Sequence, residues 1–357
     1  MPLAVDWITT PNPQSGHGVS YGYVLANAHL AVAAQRAGLV FEPGNEIALH
    51  VKTPMQFAPI QGAARQALYT MWESPDFPPD LRPHLDAADL IMVPSRFCVE
   101  IFRPYVRPEV PIVIVPLGID PLVFRPCRRM WQPGDSFQWL MVGAANARKG
   151  WDTLEETWHR HFIHRTDCHL YCKTTGTLKA LSESIRRGAI PVSDRPGVVH
   201  YRNMILDFRN LPAAVLALTY QRSHGFVFPT AGEGAGLPLV EAMATGLPSI
   251  ATRYSGLLDF ADDSVAKLVS WEPRYSTMTD GTNGPVRSVV NSAWVPPAEL
   301  ADAMGWMMAH YRDALMMGRR AAQRVHASWT WDAAGRRLVR VLQRFAEGRP
   351  FPQAVAA

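Results

Sequence analysis

Lysine is scarce in this chain: Lys52, Lys149, Lys173, Lys179 and Lys267 are the only five among 357 residues. The basic surplus, 35 Lys and Arg against 31 Asp and Glu, is therefore almost wholly arginine, and the formal net charge is +4. Such a balance favours an anionic ligand or surface over a basic one, without separating a nucleotide diphosphate, a membrane surface and a nucleic acid. No run of about eighteen apolar residues exists, so no transmembrane helix is expected. The opening MPLAVDWITTPNP also lacks the basic and apolar regions of a secretory signal, and a cytoplasmic location is the expectation. Cysteine is sparse too. Of Cys98, Cys127, Cys168 and Cys172, only the last pair is closely spaced, in a way that suits one face of a strand. With no second ligand pair, a zinc knuckle is not expected.

What is present reads as two α/β halves. A chain of this length is most simply two domains, and 48% apolar with 18% charged residues is the composition of a soluble globular protein. Leu3 to Thr9 reads as a strand, Tyr23 to Ala37 as a helix stopped by Gly38, and further strands fall at Glu46 to Val51, Ala67 to Met71, Leu90 to Val93 and Val110 to Val115. The proline-rich PLGIDPLVFRP, from Pro116 to Pro126, suits an interdomain link. A second series starts with FQWLMVG at Phe137 and a helix over Trp151 to His161. Strands then recur near His169 to Lys173, Val198 to Tyr201, Gly225 to Pro229, Ser249 to Thr252 and Ala266 to Val269. Alternation of this kind argues for parallel sheets with helices on both faces, whose ligands bind beyond the carboxyl ends of the strands. Residues 271–297, rich in Gly, Pro, Thr and Asn, read as an insertion loop. No solenoid repeat is evident.

The most informative stretch is TAGEGAGLPLVEAMATG, Thr230 to Gly246, which sets Glu233 and Glu241 eight residues apart across a glycine-rich turn and a helix start. Gly232, Gly234 and Gly236 allow close backbone approach to a ligand, Pro238 suits a first helical turn, and Gly246 with Pro248 supplies the stop. The helix start aims amides and the positive end of the dipole at whatever lies above Gly234 to Leu237, and a phosphate suits that place. Two acids beside a phosphate site need other work, such as accepting hydrogen bonds from sugar hydroxyls. The plainer alternatives are a helix-surface acid for Glu241 and a solvated loop acid for Glu233.

On these residues the chain resembles the retaining glycosyltransferases of family 4, with the GT-B fold and an E-x7-E signature. The likeness runs through FVFPTAGEGAGLPLVEAMATGLPSIATRYSG, and IMVPSRFCVEIF, VPLGIDPLVFRP, LMVGAANARKGWDTL and SWTWDAAGRRLVRVL are similar to successive family landmarks in the expected order. The resemblance implies two Rossmann-like domains facing across a cleft. An acceptor-side domain would span residues 1–120, a linker 121–136 and a nucleotide-sugar-binding domain 137–328. A terminal helix over 331–350 would cross back to the first domain.

Residue roles follow from the resemblance one at a time. Arg148 and Lys149 resemble the basic pair that neutralises the donor diphosphate, and they sit at a strand's carboxyl end as that task requires. Many relatives carry an arginine directly after the Val-Gly of this strand, where this chain has Ala144. Glu241 resembles the glutamate that bonds the ribose hydroxyls, and Glu233 the one facing the transferred sugar. The amides of Gly234, Ala235, Gly236 and Leu237 would meet sugar and diphosphate. The base would stack near Arg202, Asn203 and Met204, and Lys173 at a strand end would contact phosphate. On the acceptor side, the loop Ser15-Gly16-His17-Gly18 resembles the family's glycine-rich turn, and His17, Glu73 and His50 are candidates, with Glu73 ranked above His50.

The implied reaction is front-face transfer with retention, in which Arg148, Lys149 and the helix amides stabilise the leaving diphosphate. No cofactor is called for beyond the nucleotide-diphosphate sugar as donor, and the absence of an Asp-x-Asp motif supports independence from metal. The acceptor would be a hydroxyl of a glycan, a lipid-linked molecule or a small molecule, and contact with a membrane surface stays open. Two other readings remain. One is sugar transfer to a base in DNA, permitted by the arginines at 312, 319, 320, 324, 336, 337, 340 and 344. The other is a silent nucleotide-sugar-binding module.

Overall fold

The computed structural model describes residues 2–8, 21–175, 181–278 and 287–351. Its first half is a six-stranded parallel sheet of β1 (Ala4–Ile8), β2 (Val40–Phe41), β3 (Ile47–Val51), β4 (Arg65–Tyr69), β5 (Leu90–Val93) and β6 (Ile112–Ile114), in the order β2-β1-β3-β4-β5-β6. Helices α1 (Tyr21–Arg36), α2 (Arg82–Asp86) and α3 (Arg96–Phe102) connect them. Strands β3 and β5 are buried along their whole length. That is why β5 reads as a continuous apolar run and β3 as one broken only by His50, rather than as alternations: helices cover each face of a parallel sheet.

The second half holds β7 (Phe137–Val142), β8 (Cys168–Lys173), β9 (Ile190–Pro191), β10 (Val198–Tyr201), β11 (Met204–Asp207), β12 (Gly225–Phe228), β13 (Ser249–Thr252) and β14 (Lys267–Val269), in the order β14-β13-β12-β7-β8-β11-β10-β9. All neighbours are parallel except the pairs β10–β11 and β9–β10. Its helices are α4 (Trp151–His161), α5 (Glu183–Gly188), α6 (Ala213–Arg222), α7 (Leu237–Ala244), α8 (Pro297–Ala309) and α9 (Tyr311–Ser328). Cys168 and Cys172 are buried on β8, where spacing placed them on one face.

The last helix, α10 (Trp331–Ala346), belongs to the first half. Its buried positions, including Trp331, Ala334, Leu338, Leu342 and Phe345, recur at helical spacing and join the core of Leu30, Leu49, Leu68 and Ile91. Each of the leucine and phenylalanine side chains contributes about 1.5–3 kcal/mol by leaving water. Gly335 lets α10 lie against the backbone of Ala33 on α1, and Arg65 Nη1 donates to Phe345 O at 2.6 Å. The crossing back implied by the resemblance is thus observed. The chain passes between the halves twice, side by side: Ile119 N donates to Trp329 O and Trp331 N to Ile119 O, both at 3.0 Å.

Two local expectations are corrected. Residues 271–297 contain an antiparallel ribbon, β15 (Glu272–Met278) with β16 (Arg287–Trp294), instead of an irregular loop. The breaker residues that suggested a loop fall largely on 279–286, outside the described residues. Strand β11 was not expected, because Arg202 to Met204 was assigned to a ligand loop. Arg202 and Asn203 form instead the two-residue turn of the β10–β11 hairpin, with Arg202 at φ 52.

Candidate active site

The chain leaves β7 toward β8 on one side and leaves β12 toward β13 on the other, so the loops beyond β7 and β12 diverge and open a crevice at the carboxyl ends of two adjacent strands. This switch point is where open α/β sheets bind ligands. The loop after β7 carries Arg148 and Lys149, and the loop after β12 carries Glu233.

Local chemistry fixes both loops. Asn146 Oδ1 accepts from Lys149 N at 3.0 Å, and Gly150 takes φ 69, a left-handed turn that also leaves no room for a Cβ beside the Pro229 carbonyl. The loops are stitched together at Arg148 O, which accepts from Ala231 N and Thr230 Oγ1, both at 2.8 Å. Across this seam Glu233 Oε1 receives Lys149 Nζ at 2.6 Å, Arg148 Nη1 at 3.1 Å and Thr230 Oγ1 at 3.0 Å. Glu233 is 5% exposed, and its amide donates to Ser255 Oγ at 3.0 Å.

Burial opposes ionisation of Glu233, but Lys149 and Arg148 outweigh it and hold the carboxyl below its ordinary range. For Arg148, burial acts downward and the charges of Glu73 and Glu233 raise it above its usual value. Burial, helped by Arg148, pushes Lys149 down against the pull of Glu233. Two adjacent cationic donors of charge-assisted hydrogen bonds suit a polyanion.

The first half closes the site. Glu73, in the segment after β4, stands 4.0 Å from Arg148 Nη2, so the expected acceptor-side acid meets the cation pair across the cleft. The glycines carry a second lesson. A Cβ on Gly232 would overlap the Glu73 carbonyl oxygen, and one on Gly234 would come to 3.0 Å from Met71 Cβ and 3.2 Å from Trp72 O. Their smoothness admits the opposite domain as well as any ligand. Gly236 has φ 68 at the start of α7, and Ala235 and Leu237 pack on the core of the first half.

Glu241 projects from α7, where its Oε2 accepts from Tyr220 OH at 2.8 Å. Burial raises its carboxyl to about 7, with Tyr220 and Lys149 acting in the opposite direction. Lys173 ends β8 at the ligand pole, but its Nζ is engaged by Thr174 O at 2.7 Å and Asp207 O at 3.4 Å, and burial lowers it.

Other candidates are not brought to the crevice. Met204 pairs with Leu170 near the start of β8, whereas Asp207 pairs with Lys173 at its end, so the Arg202–Asn203 turn lies at the opposite pole of the sheet. Asn203 works structurally there: its Nδ2 donates to Phe162 O, Arg165 O and Cys168 O at 2.8–3.1 Å, and its Oδ1 accepts from Trp158 Nε1 at 2.9 Å. Met204 is buried in the core. His50 is also a core residue, fully buried, with Nε2 at 2.9 Å from Gln66 Oε1 and its ring edge-on to Phe57. A β-strand position facing into a covered sheet explains it. Gly16 and His17, with Ser15 and Gly18, lie outside the described residues. Several of the C-terminal arginines have internal partners: Arg320 donates to Ser264 O, Arg324 to Asp262 and Arg337 to Ile114 O.

The sequence reading missed Thr230, Tyr220 and Ser95 as contributors to the site. Thr230 adjoins the signature, but Tyr220 and Ser95 stand 21 and 139 residues from their partners Glu241 and Gly234, distances that only the fold collapses.

Two Rossmann-like domains facing across a cleft, with the last helix returning to the first, define the GT-B glycosyltransferase architecture. Residues 136–310 match the family described as Glycosyl transferases group 1. Among solved structures, Anabaena HepE in complex with UDP and glucose aligns with a TM-score of 0.66 and 11% identity, covering 96% of this chain and all of that one at 100%. Sucrose-phosphate synthase from Thermosynechococcus elongatus aligns with a TM-score of 0.61 and 17% identity over 91% of this chain and 79% of its own. The α,α-trehalose-6-phosphate synthase from Burkholderia multivorans gives 0.59 and 12% over 91% and 77%. No curated protein matches the chain in sequence. Among the described residues no helix is long and apolar enough to cross a membrane.

Proposed function

We propose that this glycosyltransferase moves a hexosyl group from a nucleotide-diphosphate sugar to a hydroxyl acceptor, with retention and without a metal ion. The observation that carries the reading is the cation pair Arg148–Lys149 held on Glu233 at the β7/β12 crevice and faced by Glu73. A departing diphosphate needs charge compensation, and one guanidinium and one ammonium group in a largely buried site supply it. The bound UDP of the Anabaena structure, which has the same fold, supports a uridine donor as the first to try.

In this scheme Arg148 and Lys149 turn from Glu233 toward the diphosphate, Glu241 accepts from the ribose hydroxyls, and Glu233 lines the sugar. The base sits beyond the carboxyl ends of β8 and β11, near Thr174 and Phe208, rather than at the Arg202 turn. As the bond from the anomeric carbon to the diphosphate breaks, the acceptor oxygen bonds to that carbon on the face from which the diphosphate departs, and a phosphate oxygen of the leaving group takes the acceptor proton, so no flanking pair of acids is required. Glu73 is placed to orient the acceptor hydroxyl. The cytoplasm, where nucleotide sugars are made, is the proposed location.

The test is incubation with labelled UDP-, GDP- and ADP-hexoses and a panel of hydroxyl acceptors, with and without chelator, and NMR assignment of the anomeric carbon in the product. An α-linked product from an α-linked donor, unaffected by chelator, supports the proposal. An inverted product, or loss of activity on chelation, contradicts it.

A further inference from the structure

At the N-terminus of α3, Ser95 belongs to the first domain yet donates its hydroxyl to Gly234 O, in the middle of the GEGAG turn, at 2.6 Å. The same oxygen caps its own helix by accepting from Cys98 N at 3.4 Å. Ser95 is 1% exposed, so this bond is shielded from water. The next residue extends the contact: Arg96 N donates to Asp259 Oδ2 at 2.9 Å, its Nε stands 3.6 Å from Oδ1, and Phe97 meets the Tyr254 ring edge-on at 5.6 Å. On the far side the turn is pinned by the second domain itself, where Gly256 N donates to Glu233 O at 3.0 Å and Glu233 N to Ser255 Oγ at 3.0 Å. Gly256 is packed so closely against Gly234 O that a Cβ there would overlap it.

The turn that carries Glu233 and opens α7 is therefore finished by a side chain from the opposite domain. We propose that Ser95 is a positioning residue whose bond to Gly234 O fixes the donor turn in its working geometry only when the two domains have docked. Donor turnover is thereby tied to closure, and the open state, in which acceptor enters, is inactive. The proposal rests on the donor-site reading above. It concerns the Gly234 carbonyl rather than the amides expected to meet the donor, so its effect falls mainly on the rate of transfer and less on nucleotide capture by the second domain.

Ser95→Gly and Ser95→Thr separate this role from helix capping, because glycine caps nearly as well as serine whereas only threonine keeps the hydroxyl. The expected result for S95G is a kcat lower by about 10–100-fold, a donor KM within about threefold of wild type, and recovery of most of the rate in S95T, the size of effect that loss of a positioning bond produces. Hydrogen exchange supplies a readout independent of chemistry: in S95G, amides over residues 230–237 should exchange at least about tenfold faster, with those of α3 little changed. Wild-type kcat in S95G, or faster exchange confined to α3, overturns the proposal. If wild type turns over no nucleotide sugar, the donor reading fails, and the exchange comparison still decides whether Ser95 orders the turn.

Discussion

Replacing Glu233 by glutamine separates holding the cations from binding the nucleotide. Glu233 Oε1 accepts from Lys149 Nζ at 2.6 Å and Arg148 Nη1 at 3.1 Å, so a diphosphate must compete for donors already in use. Removing one partner of a buried ion pair costs about 3–5 kcal/mol. The amide oxygen of glutamine still accepts from Lys149, and Glu73 stands within 4.0 Å of Arg148, so about 2–3 kcal/mol is expected, at or below the lower bound of that range. At ~2–4 °C per kcal/mol, the melting temperature falls by roughly 5–10 °C. Nucleotide binding moves the other way. A unit charge at about 4 Å in an effective dielectric of ~20 interacts by about 4 kcal/mol. Recovery of even a quarter to a half of that gives roughly 5–30-fold tighter UDP. Calorimetric titration of wild type and E233Q, with melting curves at zero and saturating UDP, measures both effects. Tighter UDP on a less stable protein, with kcat reduced, is the expected outcome. UDP binding weakened tenfold in E233Q would refute the reasoning, because it would make Glu233 a nucleotide ligand.

Three further outcomes are expected. In Gly232→Ala the added Cβ meets the Glu73 carbonyl, so the domains cannot dock as observed: kcat should fall by at least about a hundredfold while UDP affinity changes little, read by steady-state kinetics and titration. Glu241 titrates near 7, raised by burial, so the native state holds a proton that the unfolded chain releases above its ordinary carboxyl range. Stability should therefore decline between about pH 4.5 and 7, by up to a few kcal/mol, while ribose binding improves as the carboxylate forms, and thermal melts of E241Q should lack that slope. At the far pole, Arg202→Ala should leave nucleotide affinity unchanged, whereas Asn203→Ala, which strips partners from three carbonyls and Trp158, should cost about 1–3 kcal/mol in denaturant unfolding.

The legible parts of this molecule are those where the physics is local. Strands such as Leu90–Val93 and Val198–Tyr201 and the helix Trp151–His161 stand where their apolar runs and flanking turns put them. The crevice was legible because the loops bearing Arg148, Lys149 and Glu233 follow buried strands, and carboxyl ends of parallel strands share one pole. Direction was the failure at Arg202: a residue after a strand was assumed to lie at the ligand pole, but β10 runs antiparallel and delivers its end to the other. His50 shows the other limit, since one polar residue in an apolar strand reads as a functional group until Gln66 and Phe57 are found around it. The glycines of the GEGAG turn were assigned to a ligand because nothing in sequence shows that Met71 to Glu73 press on them. Ser95 was invisible for the same reason.

Arg148 and Lys149 are the proposed seat of the donor diphosphate. The most direct measurement is calorimetric titration of UDP, GDP and ADP into wild type, K149M and the double variant R148M/K149M. One nucleotide should bind wild type with micromolar affinity, lose about tenfold or more in K149M, and show no heat with the double variant, each lost charge-assisted contact being worth about 1.5–3 kcal/mol. Binding of equal strength to all three proteins would place the diphosphate elsewhere and contradict the account.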